Sequence, residues 1–172
     1  MLNKIEKNKE IKILQNKMSK KSKIIYFFVT SVFFVMLDLY FSNLIIENLR
    51  FKVCNNPIFD LILVKNSGAA FSIMENKTFF LVLFSMISII ALLYYIINRI
   101  DRISMFIIFW TSILIAGISC NMYERITLGY VNDFFKLNFI DFPVFNISDI
   151  FINLSVFAIV IIIVSNRYFV KK

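Results

Sequence analysis

Four stretches of this chain, residues 24–46, 79–97, 103–120 and 150–164, are longer and more apolar than a small water-soluble core can hide. Crossing the hydrocarbon of a bilayer takes about 20 mostly apolar residues. Inside lipid the backbone must close its hydrogen bonds within the segment, so aromatic and β-branched residues that favour strands in water are read here as helix. Composition agrees: 59% of the 172 residues are hydrophobic and 17% charged, against about 45–50% and 25% in soluble domains. The expected fold is an all-α membrane protein of four transmembrane helices. Its single domain is expected over residues 24–166, between a basic tail at 1–23 and a basic end at 167–172. The first stretch exceeds the roughly 7–15 residues of a signal-peptide core, and no A-x-A site follows it, so it is read as a retained helix.

The net charge of +8 raises the question of nucleic acid, but its placement argues for topology instead. Eight lysines precede the first helix, Arg99 and Arg102 lie between helices two and three, and Arg167, Lys171 and Lys172 close the chain. Four spans put all of these on one side, thirteen of the nineteen basic residues. Both termini are therefore expected in the cytoplasm, with the basic tail close to anionic headgroups. The partners expected from this pattern are membrane lipids and no nucleic acid.

Histidine is absent. That closes Ser-His-Asp and Cys-His catalysis and any histidine-ligated metal site. No cofactor or metal is expected. The two cysteines, Cys54 and Cys120, form no CxxC pair and no disulfide framework. The informative regions are two loops on the side opposite the termini. The first, about 47–78, holds apolar runs at 51–54 and 59–64 flanking Asn55-Asn56-Pro57, a strand–turn–strand pattern. A small β element on that outer face is expected. The second, about 121–148, carries a dense cluster of polar residues.

With histidine gone, the carboxylates carry whatever acid–base chemistry exists. Glu6, Glu10 and Asp101 fall on the cytoplasmic side and read as solvated charges; Asp60 and Glu75 read as surface residues, Glu47 as a helix-end residue and Asp141 as a turn residue before Phe142-Pro143. Four remain: Asp38 well inside the first helix, Glu124, Asp133 in an aromatic stretch, and Asp149 at the opening of the fourth helix. Ionisable residues at membrane depth are costly and are functional candidates by default. The ordinary alternatives are a loop aspartate for Asp133 and a helix N-cap for Asp149. Two converging carboxylates cannot both ionise cheaply, so one holds a proton while the other acts as base. Such a pair can draw a proton from water and polarise a peptide carbonyl. Residue types alone leave open which two of the four converge.

Three blocks resemble a known family. Asn66-Ser67-Gly68-Ala69-Ala70-Phe71-Ser72 resembles the N-x-G-A-A-F-S motif of lipoprotein signal peptidases, also called signal peptidase II. The run Asn121 to Arg125, followed by Gly129 to Phe134, resembles the family's G-N-x-x-D-R-x-x-x-G-x-V-x-D-F block, and Phe145-Asn146-Ile147-Ser148-Asp149 its F-N-x-A-D block. Asp38 stands where the family has its first-helix aspartate. The resemblance implies a bacterial inner-membrane aspartic endopeptidase that cuts signal peptides from diacylglyceryl-modified prolipoproteins just before the lipidated cysteine, at the outer face of the membrane. It implies Asp133 and Asp149 as the catalytic dyad, with Asn66, Gly68, Asn121, Arg125, Asn146, Asp38 and Glu124 in support, and the enzyme is expected to be a monomer. Arginine's fork of donors suits a carbonyl or a site geometry, and asparagine offers both donor and acceptor to an extended backbone.

The chain also departs from that pattern. Glu124 replaces an aspartate, Cys120 a glycine, Ser148 an alanine, and Ser42 stands where a lysine follows the first-helix aspartate by four residues. None of these is in the implied dyad, and restoring aspartate at Glu124 is expected to be tolerated. Other readings are a low-activity paralogue, a serine–lysine protease using Lys65 with Ser67 or Ser72, and a small transporter or assembly factor with Asp38 as its ion or partner site.

Overall fold

The computed structural model describes residues 18–49, 54–55, 57–68, 75 and 77–170. Four helices are long and apolar enough to cross a membrane: α1 (Lys20–Leu49), α2 (Thr78–Arg99), α3 (Met105–Leu128) and α4 (Ile147–Val170). Three strands, β1 (Cys54–Asn55), β2 (Phe59–Asn66) and β3 (Val131–Leu137), form an antiparallel sheet in the order β1-β2-β3. The chain is thus a multi-pass membrane protein with a small sheet at one end of its bundle. Of the expected features, Ala69, Ala70, Phe71 and Ser72, residues 51–53 of the first apolar run, residues 1–17 of the basic tail and Lys171-Lys172 lie outside the described residues.

Most helical surface is apolar and faces outward. Met36 on α1 is 65% exposed, Phe84 on α2 72% and Phe157 on α4 67%, a pattern that suits lipid as solvent. The inward surface is centred on α3, which packs against α1, α2 and α4. Its residues Ile113 to Gly117 are all buried. Phe34 of α1 packs edge-on against Phe109 of α3 and Phe151 of α4, with centroids 6.0 and 5.3 Å away. Buried hydroxyls satisfy themselves along their own helices: Ser31 donates to the Phe27 carbonyl, Thr111 to Ile107 and Ser112 to Ile108. At the end away from the sheet, Lys23 is buried and its Nζ donates to the Ile100 carbonyl at 3.2 Å. That amine caps the C-terminus of α2, where cations are favoured.

Three expectations change. First, α3 runs eight residues past Cys120 to Leu128 and stops only at Gly129, whose φ of 84° is left-handed. Asn121, Glu124 and Arg125 therefore sit on a helix, not in a loop. A polar face at the membrane boundary lowers hydropathy without breaking α geometry, so apolar length alone underestimates the helix. Second, the sheet has a third strand. The aromatic stretch holding Asp133 pairs with β2, with Val64 opposite Asp133 and Asn66 opposite Val131. Third, the N-cap of α4 is Asn146, not Asp149: the Asp149 N–H donates to Asn146 Oδ1 at 2.8 Å. Asp149 sits three residues on, with its Oδ2 accepting from the Asn146 N–H at 3.2 Å, a reciprocal capping box.

One glycine decides how closely α3 and α4 approach. A methyl placed on Gly117 would lie 2.7 Å from the Ser148 carbonyl oxygen and 3.0 Å from Ile152 Cγ1. Only hydrogen at that position lets the first turn of α4 rest on α3. Asn121 stands one turn beyond Gly117 on the same face, and so meets that first turn of α4.

Candidate active site

The site forms where the sheet meets the ends of α3 and α4. Register brings Asn66 and Asp133 together. They are diagonal neighbours on one face of the β2–β3 pair, within reach of polar side chains, and Asn66 Nδ2 donates to Asp133 Oδ2 at 2.9 Å. Beyond the sheet, Phe145 bonds back to β3: its carbonyl accepts from the N–H groups of Phe134 and Phe135 at 3.0 and 2.8 Å. That clip sets Asn146 beside Asp133, and Asn146 Nδ2 donates to Asp133 Oδ1 at 3.1 Å. Each oxygen of Asp133 thus holds an asparagine amide.

Asp149 is dressed in the same way. Its Oδ1 accepts from Asn121 Nδ2 at 2.9 Å and its Oδ2 from the Asn146 N–H at 3.2 Å. Asn146 Nδ2 also donates to Asn121 Oδ1 at 3.0 Å. Asn146 therefore uses its side-chain amide, side-chain carbonyl and backbone N–H at once, bridging both aspartates. Asp133 and Asp149 line one cavity of about 120 Å³ together with Asn66, Asn121 and Arg125.

The electrostatics separate Asp133 from an ordinary surface acid. It is 2% exposed, and burial pushes its carboxyl from the usual 3.8 up to about 7. The Asn66 amide and the Arg125 guanidinium pull the other way, while the charges of Asp149 and Glu124 add to the rise. A carboxyl in this range can keep its proton near neutral pH and give it up in a reaction.

The supporting residues divide into two groups. Asn66, Gly68, Asn121, Arg125 and Asn146 join the aspartates in one network. Gly68 donates its N–H to Asn66 Oδ1 and offers its carbonyl to Arg125, both at 2.9 Å. Arg125 also donates to the Asn121 carbonyl at 3.2 Å. It thereby ties the loop after β2 to α3, and its buried Nε has no partner among the described residues. Asp38 and Glu124 lie outside this network. Asp38 Oδ2 accepts from Ser148 Oγ at 2.6 Å and its Oδ1 from Ser42 Oγ at 3.4 Å. Glu124 accepts from the backbone N–H and the side-chain amide of Asn132, each at 2.9 Å. Asn132 and Ser148 received no role from the sequence. The signal for them was adjacency, since each immediately precedes one of the two aspartates.

Among the described residues, two of the open spaces that reach the site lead to it from opposite surroundings. An apolar groove of about 540 Å³ runs between α2, α3 and α4, past Leu81, Phe84, Leu114 and Ile152, and ends at Asn121 and Arg125. A cleft of about 550 Å³ opens on the sheet side, bordered by Asn66, Gly68, Lys136, Asp141 and Asp133. The arrangement can therefore receive a chain that is partly in lipid and partly in water. Lys65 is exposed, with its ammonium 4.9 Å from the Tyr130 ring centroid. That setting does not desolvate the amine as a general base requires. Cys120 is a free, buried thiol.

The family model described as signal peptidase (SPase) II matches residues 30–165. The lipoprotein signal peptidase of Streptococcus thermophilus (strain CNRZ 1066) is 34% identical over 106 residues, covering 62% of this chain and 69% of the relative. That of Enterococcus faecalis (strain ATCC 700802 / V583) is 27% identical over 152 residues, covering 87% and 94%. A solved bacterial membrane enzyme, determined by the in meso method at 2.3 Å resolution, superposes with a TM-score of 0.74 at 27% identity, covering 84% of this chain and 90% of that one.

Proposed function

The chain belongs to the signal peptidase II family, and on that premise we propose that it is an aspartic endopeptidase whose dyad is Asp133 and Asp149. Its proposed substrates are diacylglyceryl-modified prolipoproteins, cut just before the lipidated cysteine. The observation that carries the reading is the double use of Asn146, which donates to Asp133 through its side chain and to Asp149 through its backbone. One residue thus holds both acids against a single small cavity.

In this mechanism we assign the shared proton to Asp133, whose burial raises its carboxyl above the usual range. It donates to the scissile carbonyl oxygen as charge develops there. Asp149 accepts a proton from a water held in the cavity, and that water attacks the carbonyl carbon. The tetrahedral intermediate collapses with cleavage of the C–N bond: the leaving amine takes the proton from Asp149, and the gem-diol hydroxyl returns its proton to Asp133. No covalent enzyme intermediate forms.

The surroundings support the substrate class. The apolar groove that ends at Asn121 and Arg125 suits a signal helix or an acyl chain entering from lipid. The polar cleft past Asp133 suits the mature chain beyond the cut. The excess of lysine and arginine in the sequence around both termini and between the second and third spans supports cytoplasmic termini and a dyad at the outer face of the bacterial inner membrane. The test is cleavage of a diacylglyceryl-modified prolipoprotein by the purified protein in lipid, beside Asp133→Asn and Asp149→Asn. Loss of cleavage in both at equal folding supports the dyad, and full turnover in either removes that residue from the chemistry.

A further inference from the structure

Resting on that dyad, we propose that Ser148 is a positioning residue: its hydroxyl, locked onto the buried Asp38 carboxylate of α1, holds the first turn of α4 so that Asp149 faces Asp133. Ser148 Oγ to Asp38 Oδ2, at 2.6 Å, joins residues 110 positions apart. Both side chains are buried, Ser148 at 3% and Asp38 at 4% exposure. Ser42 also donates to Asp38, over a longer 3.4 Å and from α1 itself, and the buried Cys120 thiol of α3 lies beside both Asp38 and Ser148. Among the described residues, Ser148 alone hydrogen-bonds this carboxylate from the helix that carries Asp149.

The same turn is held from its other side. The Ser148 carbonyl rests against Gly117, where an added methyl would stand 2.7 Å from it. Ser148 is thus fixed through its backbone on α3 and its side chain on α1. It is the residue before Asp149, so any shift of Ser148 moves that carboxylate. A misplacement of about 1 Å in a catalytic constellation can cost on the order of a hundredfold in rate. Alanine at this position would keep the helix but have no donor, leaving the buried acid without its short hydrogen bond.

Asp133 is held in a parallel way. Glu124 grips Asn132, the residue before Asp133, through two 2.9 Å bonds. Asp38, Ser148, Glu124 and Asn132 all line a cavity of about 600 Å³ beside α1. The apolar groove lies on the α2 side. Loosening the Ser148–Asp38 bond therefore disturbs the alignment of the acids and leaves the substrate-entry surface intact. Turnover falls, and KM does not.

The test compares the full-length protein with Ser148→Ala, Ser148→Thr, Asp38→Asn, the double Ser148→Ala/Asp38→Asn, and Asp133→Asn. The readouts are kcat, KM and Tm on a diacylglyceryl-modified prolipoprotein. Ser148→Ala is expected to lower kcat by about tenfold or more, with KM within about twofold. Ser148→Thr, which keeps the hydroxyl, should recover most of that loss. In the Ser148→Ala background, Asp38→Asn should bring no further loss, because the bond is already gone. The proposal is overturned by wild-type kcat in Ser148→Ala, by a fall in Tm with kcat unmoved, or by fully additive losses in the double variant. If Ser148→Ala does not fold, Ser148→Cys, close in size but a weak donor, takes its place with the same expectations. An active Asp133→Asn would bring down the dyad itself. An inactive Asp133→Asn with wild-type-like Ser148→Ala would bring down only the Ser148 role.

Discussion

Asn146 and Asp149 cap each other across the first turn of α4: each backbone N–H donates to the other's side-chain oxygen, at 2.8 and 3.2 Å. The residue that starts the helix is therefore also the one that aims the proposed base. Structure and chemistry can be separated at Asn146. Asn146→Ser retains a cap acceptor but has no amide to give Asp133 and Asn121. It should cost only a few tenths of a kcal/mol in capping while prolipoprotein cleavage falls by about tenfold or more. Thermal unfolding and turnover measured on one preparation check this, and parallel losses in both would make Asn146 a purely structural cap.

The proposed dyad predicts the largest effects. Asp133→Asn and Asp149→Asn should each lower turnover by about 10²–10⁴-fold, the range of a removed general acid or base. Asp149→Asn keeps an oxygen for only one of the two donors on Asp149, the Asn146 N–H and the Asn121 amide, so a modest fall in Tm is expected beside the far larger loss of turnover. Activity and Tm of each variant against wild type decide it.

Asp133 gives stability a definite pH dependence. Its carboxyl rises from 3.8 to about 7 on folding. Between those values the native state keeps a proton that the unfolded chain has released. Stability is then highest at the acid end of that window, falls as pH rises through it, and levels off above about 7. Asp133→Asn lacks this titration, so its Tm relative to wild type should rise from pH 4 to pH 7. Cleavage by wild type should decline above pH of about 7, as the proton held by Asp133 is lost. A Tm difference that does not change with pH would contradict the assignment.

Glu124 is one methylene longer than the aspartate of the resembled motif, and the sequence alone suggests that Glu124→Asp is tolerated. The geometry argues against it. Both carboxylate oxygens of Glu124 are in use, on the backbone and the side chain of Asn132 at 2.9 Å each. A shorter arm cannot hold both without moving β3. We expect Glu124→Asp to lower turnover by roughly three- to tenfold, given how steeply rate depends on alignment. Cleavage rates of the two proteins at equal expression settle the matter, with equality restoring the simpler expectation.

Gly117→Ala tests the seat of α4. The added methyl would stand 2.7 Å from a backbone oxygen, and relief requires the two helices to part. Overpacking of this kind costs about 1–3 kcal/mol. A lowered Tm together with lowered turnover is expected, and an unchanged Tm would mean that the helices separate freely.

Hydropathy was enough to find the four spans, because the need for about 20 apolar residues is a local property of each segment. Residue order was enough to single out the polar positions, since Asp38, Glu124, Asp133 and Asp149 interrupt apolar or aromatic runs where charge is costly. What lay beyond reach was how these acids divide. Asp133 pairs with Asn66 across 67 residues and Asp38 with Ser148 across 110. No spacing rule covers such distances, because they are set by strand register and by how closely α3 and α4 pack at Gly117. The third strand and the last two turns of α3 were hidden for a related reason: a polar or mixed face at the edge of a membrane lowers hydropathy without ending a helix or a strand. The residues were therefore the contribution of the chain alone. Their grouping into two acids facing a cavity and two acids gripping the neighbours of those acids came only with the packing of the bundle against its sheet.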